Sequence, residues 1–234
     1  VILPSFPECC GSVDTIPSLF LWFPLLGTES FGVNFIFHSK RWYPVEKRNN
    51  IMLPENVPSK CEKGAHNEEI LHEMMATLHR YYAYEGNAYS LNRDMCIVNF
   101  HSDKEDEVTT KFYTDLQDMW KVVVPSWKVI PTEEGKKAMA DARVRVLHPD
   151  FYSKLTEEKR TQYEPMLAEY AKNVKYNEEE CYLLPTLDLI AWSEVVHLWR
   201  CDRDSEFYVT IKDVCKSVQK KSDKLHCFLS FLVD

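Results

Sequence analysis

The densest set of chemically active side chains lies between His38 and Asn50, directly after an apolar run. A histidine, a glutamate, four cations and two amides fall within this segment, namely His38, Lys40, Arg41, Glu46, Lys47, Arg48, Asn49 and Asn50. A charged cluster of this kind is most often the solvated end of a strand. Here it stands in a loop, and Arg48 is followed by two side-chain amides, a combination that suits hydrogen bonding to an oxyanion.

The guanidinium group makes Arg48 the leading candidate for an anion-binding residue. Arginine can donate two parallel hydrogen bonds to a phosphate, and an arginine from a neighbouring domain can stabilise a phosphate in transfer. The amides of Asn49 and Asn50 are candidates for binding beside Arg48. Considered alone, the segment remains a charged surface loop in which Arg48 is suited to phosphate contact.

A zinc-protease motif begins in the segment HEMMATLH, residues 72–79, but it is incomplete. The position four residues after His72 is Ala76, where the motif needs a second histidine. His79 lies about 10 Å further along a helix, which is too far to share one zinc ion with His72. No metal site is predicted.

The glycines do not form a phosphate loop. Gly27 and Gly32 have the spacing of that loop, but Val33 and Asn34 occupy the positions of the required lysine and hydroxyl residue. There is also no G-x-G-x-x-G in the chain. The chain is therefore not expected to cradle nucleotide phosphates alone.

A hydrolase with an unrecognised site is a third and weaker hypothesis. The surroundings of Ser30 lack the first glycine of a G-x-S-x-G elbow, so no serine hydrolase motif supports it. This hypothesis would be supported by a pocket in which the side chains of His38, Glu46 and Arg41 converge.

Composition narrows the class of protein. The 234 residues are 45% apolar and 27% charged, typical of a folded globular chain. A net charge of -8 makes nucleic acid an unlikely partner, since the chain lacks the positive charge needed to wrap it. A local basic patch is still compatible with this net charge. No apolar run reaches the ~20 residues of a membrane span. The eight cysteines include no C-x-x-C pair, which favours reduced thiols and a cytoplasmic location.

The first residues do not resemble a signal peptide. Prolines interrupt the apolar opening segment, and it has neither a starting methionine nor a basic region. We expect the chain to be an excised piece of a longer protein.

The elements that position the charged loop are predicted from periodicity and turn residues. Residues 18–26 and 32–38 favour two neighbouring strands, and residues 43–66 favour a loop. Asn67, followed by two glutamates, predicts the N-cap of a helix that ends near Gly86. A further strand is predicted over Met95–Phe100.

Helices dominate the predicted second half. Residues 112–123 form an amphipathic pattern that Pro125 ends, and residues 136–146 favour a weaker helix. A further helix is predicted after Thr156 and extends to about residue 175. Three more are predicted after Asn177, Thr186 and Thr210. The last of these begins with a T-x-x-D capping pattern. The fold class is therefore α+β, with a mixed α/β domain over 1–105 and a mainly helical domain over 106–234.

The segment WSEVVHLW, residues 192–199, supports a second functional hypothesis. Trp192, Val195, Val196 and Trp199 fall on one helical stripe, which is most often a packed core face. If that stripe were exposed, the chain would be a free-standing interaction module that docks through it.

Residues 18–54 resemble the segment that follows the ATP-binding domain in sacsin-like proteins. These proteins share the GHKL-type ATPase fold with the ninety-kilodalton heat-shock chaperones, and related domains occur in large bacterial proteins. Phe23-Pro24-Leu25 matches the end of the first strand, Val33 to Phe37 matches the second, and Lys47-Arg48-Asn49 stands at the arginine motif. The insert KRWYPVE before that motif is longer than in the family.

The resemblance implies a non-catalytic middle region of a larger chaperone-like ATPase. In the chaperones this region is a sandwich-like α/β layer whose loop arginine reaches the γ-phosphate of ATP. The resemblance gives this role to Arg48, with Lys47 or Arg41 as the alternatives. The family's ATP site needs an asparagine on a helix, a D-x-G-x-G turn and a glycine-rich lid, all in the preceding domain. ATP and magnesium are thus implied for the full-length protein and no cofactor for this segment, with the preceding domain and protein clients as partners.

Overall fold

The chain forms two compact units, residues 1–127 and 128–234, in a computed structural model. The structure describes residues 2–4, 17–29, 31–32, 35–54, 58–83, 93–96, 99–100, 107–174, 181–200 and 207–218. The division between the units lies 22 residues beyond the predicted domain boundary at 105/106, so the helix that follows this boundary belongs to the first unit. The predicted division into a mixed α/β domain and a helical domain stays a prediction.

The strands of the first unit are short. They are β1 (Ile2–Pro4), β2 (Leu19–Phe20), β3 (Phe31–Gly32), β4 (Phe35–His38) and β5 (Asn99–Phe100). In a three-stranded sheet β4 is central, antiparallel to β1 and parallel to β2, while β3 pairs with β5. The two predicted strands are therefore neighbours, but the first is cut to two residues because the chain bends after Phe20.

The described residues of the first unit also form two α-helices, α1 (Pro58–Ala83) and α2 (Glu107–Val123). The predicted loop over 43–66 is wrong in its last part because α1 already begins at Pro58, and proline suits the first turn of a helix. Asn67 is consequently inside the helix, and its prediction as an N-cap is wrong. The strand predicted over Met95–Phe100 begins instead as a 3-10 turn over Arg93–Cys96.

Aromatic rings fill the core between the sheet and α2. Phe35 and Phe37 alternate inward along β4, and the ring of Phe37 stacks on Trp120 with centroids 6.3 Å apart. The indole nitrogen of Trp120 donates a 2.9 Å hydrogen bond to the carbonyl of Phe31. Trp127 closes this core against Phe35.

The described part of the second unit has four strands and three α-helices. They are β6 (Lys128–Thr132), β7 (Gly135–Ala138), β8 (Val146–Leu147), α3 (Glu157–Ala171), α4 (Leu189–Trp199), β9 (Tyr208–Val209) and α5 (Ile211–Val218). β6 and β7 form an antiparallel hairpin, and β8 pairs with β9 in parallel. The helix predicted over 136–146 is wrong, since this segment contains β7, a turn and the start of β8.

Two predicted helix caps are confirmed in this unit. The Thr156 hydroxyl accepts a hydrogen bond from the amide of Lys159 at the start of α3. Thr210 and Asp213 bond reciprocally at the start of α5, where the Asp213 carboxylate accepts from the Thr210 amide at 3.1 Å. The helix predicted after Asn177 begins outside the described residues, and α4 begins three residues after Thr186.

The fold is α+β, as predicted at the level of class, and five helices make up about half of the described chain. None of the helices that the structure describes has the length and apolar character needed to cross a membrane.

Candidate anion-binding hairpin

Residues 43–52, here called the Arg48 hairpin, form a tight backbone structure rather than an open loop. The amide of Met52 donates to the carbonyl of Tyr43 at 2.8 Å, and the amide of Val45 donates to the carbonyl of Asn50 at 3.0 Å. The amide of Arg48 donates to the carbonyl of Val45 at 2.9 Å and closes the turn at the tip. The predicted loop is thus an ordered hairpin with Lys47, Arg48 and Asn49 at its tip.

Arg48 has a left-handed backbone conformation, with φ at 54°. This region favours glycine and asparagine, and a residue with a long side chain there costs about 1 kcal/mol or more. The side chain is exposed, and its guanidinium carbon lies 5.5 Å from the centroid of the Phe23 ring. Arg48 therefore presents an exposed guanidinium group at the tip of the hairpin. Its contact with the Phe23 ring restricts the conformations of the side chain.

Asn67 holds the base of the hairpin from inside α1. Its side chain is completely buried, and its carbonyl oxygen accepts from the amide of Tyr43 at 2.9 Å. Its amide nitrogen donates to the carbonyls of Tyr43 and Met52, at 2.8 and 2.9 Å. Both amide protons and the carbonyl are therefore used, and only an asparagine or glutamine offers this combination.

Gly27 contacts the hairpin from the link between β2 and β3. Its φ is +104°, and a Cβ atom there would lie 2.8 Å from the carbonyl oxygen of Asn49. The same link is tied to β2 by the buried Thr28 hydroxyl, which accepts from the amide of Leu19 at 3.0 Å. The tip is thus packed against a fixed segment at a distance that only glycine allows.

Gly64 brings α1 against the residues that leave the hairpin. A Cβ atom at this position would lie 2.3 Å from the carbonyl carbon of Leu53. The helix that carries Asn67 therefore approaches the backbone directly. Together with Asn67 and Gly27, this contact fixes the hairpin on two sides.

The structure separates the predicted site residues into two groups. Lys47, Arg48 and Asn49 are exposed at the tip, where an anion can reach them. Asn50 is half-buried, and its side-chain oxygen accepts from the amide of Ile51 at 2.8 Å, so it supports the backbone. Arg41 pairs with Glu73 of α1 at 3.1 Å, which makes it a weaker candidate than Arg48.

Two of the three residues that would indicate a hydrolase, His38 and Arg41, contact residues outside that trio. The ring of His38 lies edge-on to Trp22, with centroids 6.5 Å apart, and Arg41 pairs with Glu73. Neither contact involves another member of the trio, so the hydrolase hypothesis gains no support from them. Among the described residues no group of three or more His, Cys, Asp or Glu side chains could hold a metal ion.

A serine–histidine contact that the sequence did not suggest occurs at the end of α2. The Ser126 hydroxyl lies 3.2 Å from Nδ1 of His79 and also donates to the carbonyl of Val123 at 2.6 Å. Because its proton is used by that carbonyl, the hydroxyl accepts from the imidazole. The contact therefore closes the helix end and does not activate the serine as a nucleophile.

The WSEVVHLW helix is α4, and its stripe is part of the core of the second unit. Trp192, Val195, Val196 and Trp199 are each at least 96% buried. The exposed stripe that the interaction-module hypothesis needs is therefore not present on this helix.

Two residues that hold the hairpin, Asn67 and Gly27, were not predicted as part of the site. The Asn-Glu-Glu sequence is also a good N-cap pattern, so the signal at Asn67 pointed to a different role. Nothing in the sequence near Gly27 relates it to Asn49, because the contact is made by the backbone across 22 residues.

No protein-family model matches the chain, and neither the curated proteins nor the solved structures include a match. The function proposed for the chain therefore rests on the geometry of the hairpin and on the resemblance of residues 18–54.

Proposed function

We propose that this chain is a non-catalytic middle region of a larger GHKL-type, chaperone-like ATPase. In this proposal the first unit corresponds to the sandwich-like middle domain of the GHKL chaperones. Arg48 would contact the terminal phosphate of ATP bound in a preceding domain of the same protein.

The observation that carries the proposal is the Arg48 hairpin itself. The tip presents a cation at a left-handed turn, and Asn67 and Gly27 fix the backbone on which it stands. A cation that is already positioned loses little conformational entropy when a phosphate arrives. A solvated charged loop would need neither the buried asparagine nor the close glycine contact.

The chemistry assigned to this chain is electrostatic. The guanidinium of Arg48 would donate hydrogen bonds to phosphate oxygens and stabilise the charge that develops on them during transfer. Lys47 lies beside it at the tip and adds positive charge. Magnesium has no ligand set among the described residues, so this proposal leaves it with the domain that binds ATP.

The ATPase rate of the full-length protein tests this role. We expect Arg48→Ala to lower kcat about tenfold or more, since a single positioned donor of this kind contributes at least that much in phosphoryl transfer. Lys47→Ala is the matched control, because it removes a neighbouring exposed cation from the same hairpin, and a much smaller effect is expected.

The outcome that contradicts the proposal is unchanged turnover for Arg48→Ala in a protein that hydrolyses ATP. Arg48→Lys separates charge from geometry, since lysine keeps the charge but loses the paired donors. Partial activity in that variant supports phosphate contact by the side chain. A loss confined to Lys47→Ala or Arg41→Ala would assign the role to that cation instead.

A further inference from the structure

A second exposed feature lies beside the hairpin and is not explained by contact with a terminal phosphate. Trp22 and Phe23 are consecutive, and each ring carries a cation from another part of the chain. The ammonium of Lys40 is 5.3 Å from the Trp22 ring, and the guanidinium carbon of Arg48 is 5.5 Å from the Phe23 ring. These four residues are called the Trp22 face.

The exposure of Trp22 is unusual for this protein. Its side chain is 72% exposed, whereas the other five tryptophans of the chain are buried. A large exposed ring costs free energy in water and is common at binding sites. Leu26 in the same link is also exposed, by 61%.

Positive charge is concentrated at this place in an otherwise acidic unit. Residues 1–127 hold eleven Lys and Arg against seventeen Asp and Glu, yet four of the eleven lie between Lys40 and Arg48. Glu46 is the single acidic residue in that interval. Arg41 is paired with Glu73, whereas Lys40 and Arg48 lie over the two rings.

We infer that the Trp22 face binds a short stretch of single-stranded nucleic acid. Trp22 offers an exposed ring beside the Lys40 ammonium, and the next position pairs the half-buried Phe23 ring with the Arg48 guanidinium. This arrangement matches a ligand with one flat base and one phosphate charge per unit. Bases stack on exposed aromatic rings with little dependence on sequence, and the cations contact the phosphates. An acidic peptide would supply the charges but not the flat groups.

The net charge limits this activity. A protein with a net charge of -8 repels a long polyanion, so binding is confined to a few nucleotides and to low ionic strength. The inference goes beyond the proposed function, with which it shares only Arg48. The test therefore uses Trp22 and Lys40.

The probe is a short fluorescein-labelled oligothymidylate, titrated into the full chain at about 50 mM salt and followed by anisotropy. We expect saturable binding that Trp22→Ala weakens about tenfold or more, while Trp22→Phe keeps most of it. Lys40→Ala should reduce the slope of log affinity against log salt by about 0.7, as expected for one lost phosphate contact. Quenching of the exposed Trp22 by the unlabelled oligonucleotide should give the same affinity.

Two controls match the tested side chains in the same unit. Lys121→Ala removes an exposed lysine from α2, and Val122→Ala removes an apolar side chain that is 77% exposed. Neither should change binding. Since Trp22 and Lys40 are exposed, their variants are expected to fold, which circular dichroism checks.

Three results would overturn the inference: no binding at low salt, equal binding by Trp22→Ala, or equal binding of a polyglutamate peptide. The last result would indicate an acidic protein partner. Loss of oligonucleotide binding in Trp22→Ala and Lys40→Ala with normal ATPase activity would distinguish this site from the proposed nucleotide contact.

Discussion

Asn67, in the middle of α1, hydrogen-bonds both the amide and the carbonyl of Tyr43, at 2.9 and 2.8 Å. Its third bond, to the carbonyl of Met52, joins the other strand of the Arg48 hairpin to the same side chain. One buried amide group thus sets the spacing of the two strands at the base of the hairpin. The orientation of the exposed tip therefore depends on a fully buried side chain.

Asn67→Ala is expected to destabilise the protein and to loosen the hairpin. The variant leaves the Tyr43 amide and the Met52 carbonyl without their partner in a partly buried place, which costs on the order of 2 kcal/mol. Denaturant unfolding measures that loss. Trypsin cleavage after Lys47 and Arg48 should also become faster, because local opening exposes the tip.

Thr77→Ala is the control for this variant, since it removes an exposed hydroxyl from the same helix that bonds only to the carbonyl of Glu73. Its expected cost is below about 0.5 kcal/mol. Equal stability of Asn67→Ala and Thr77→Ala would contradict the role assigned to Asn67.

Gly27 and Gly135 allow the contact with the hairpin to be separated from the backbone requirement. Both have positive φ, +104° and +94°, but a Cβ atom would meet the Asn49 carbonyl only at Gly27. Gly135→Ala should therefore cost about 1 kcal/mol of backbone strain, and Gly27→Ala clearly more, about 2–3 kcal/mol. Thermal unfolding of the two variants tests this order, which a smaller loss for Gly27→Ala would refute.

Two helix caps, which depend on residues close together in the chain, were predicted correctly from the sequence. The reciprocal bonds of Thr210 and Asp213 span three residues, so the pattern and the structure coincide. The same kind of signal failed at Asn67, because an asparagine before two glutamates caps a helix only if the helix begins there. Pro58, which is also compatible with a first turn, placed the start nine residues earlier.

The helix prediction over residues 136–146 was wrong for a different reason. Lys136 and Lys137 have good helix propensity, but pairing of β7 with β6 overrides it, as tertiary contacts commonly do. Within the site, the exposed cations were predicted because charge and amide clusters are visible in a sequence. The contact of Gly27 with Asn49 was not, since backbone proximity across distant segments leaves no composition signal.

The positive φ of Arg48 leads to a prediction about stability that is independent of any ligand. Arg48→Gly and Arg48→Val both lose the charge and the contact with Phe23, but only valine is β-branched and opposes φ near 54°. We expect the glycine variant to be more stable than the valine variant by about 1–2 kcal/mol. Chemical denaturation measures the difference, and equal stabilities would contradict a strained turn.

Two tyrosines of the second unit differ in how their hydroxyl groups are satisfied. The Tyr152 hydroxyl is buried without a hydrogen-bond partner, whereas the Tyr208 hydroxyl makes a close hydrogen bond with Nδ1 of His197. Tyr152→Phe should therefore leave the free energy of unfolding unchanged or raise it by up to about 1 kcal/mol, while Tyr208→Phe should lower it by about 1 kcal/mol. The opposite order in a denaturant titration would show that the Tyr152 hydroxyl has a role in stability.

Alkaline pH should destabilise the first unit through Tyr82. Burial raises the pKa of Tyr82 to about 12, with smaller contributions from Tyr81 and Cys96. The unfolded chain loses this proton near pH 10, so between about pH 10 and 12 it binds fewer protons than the folded protein. The free energy of unfolding must then fall as the pH rises through this range. Tyr82→Phe should make the fall less steep, and an unchanged slope in denaturant titrations across this range would contradict the shift.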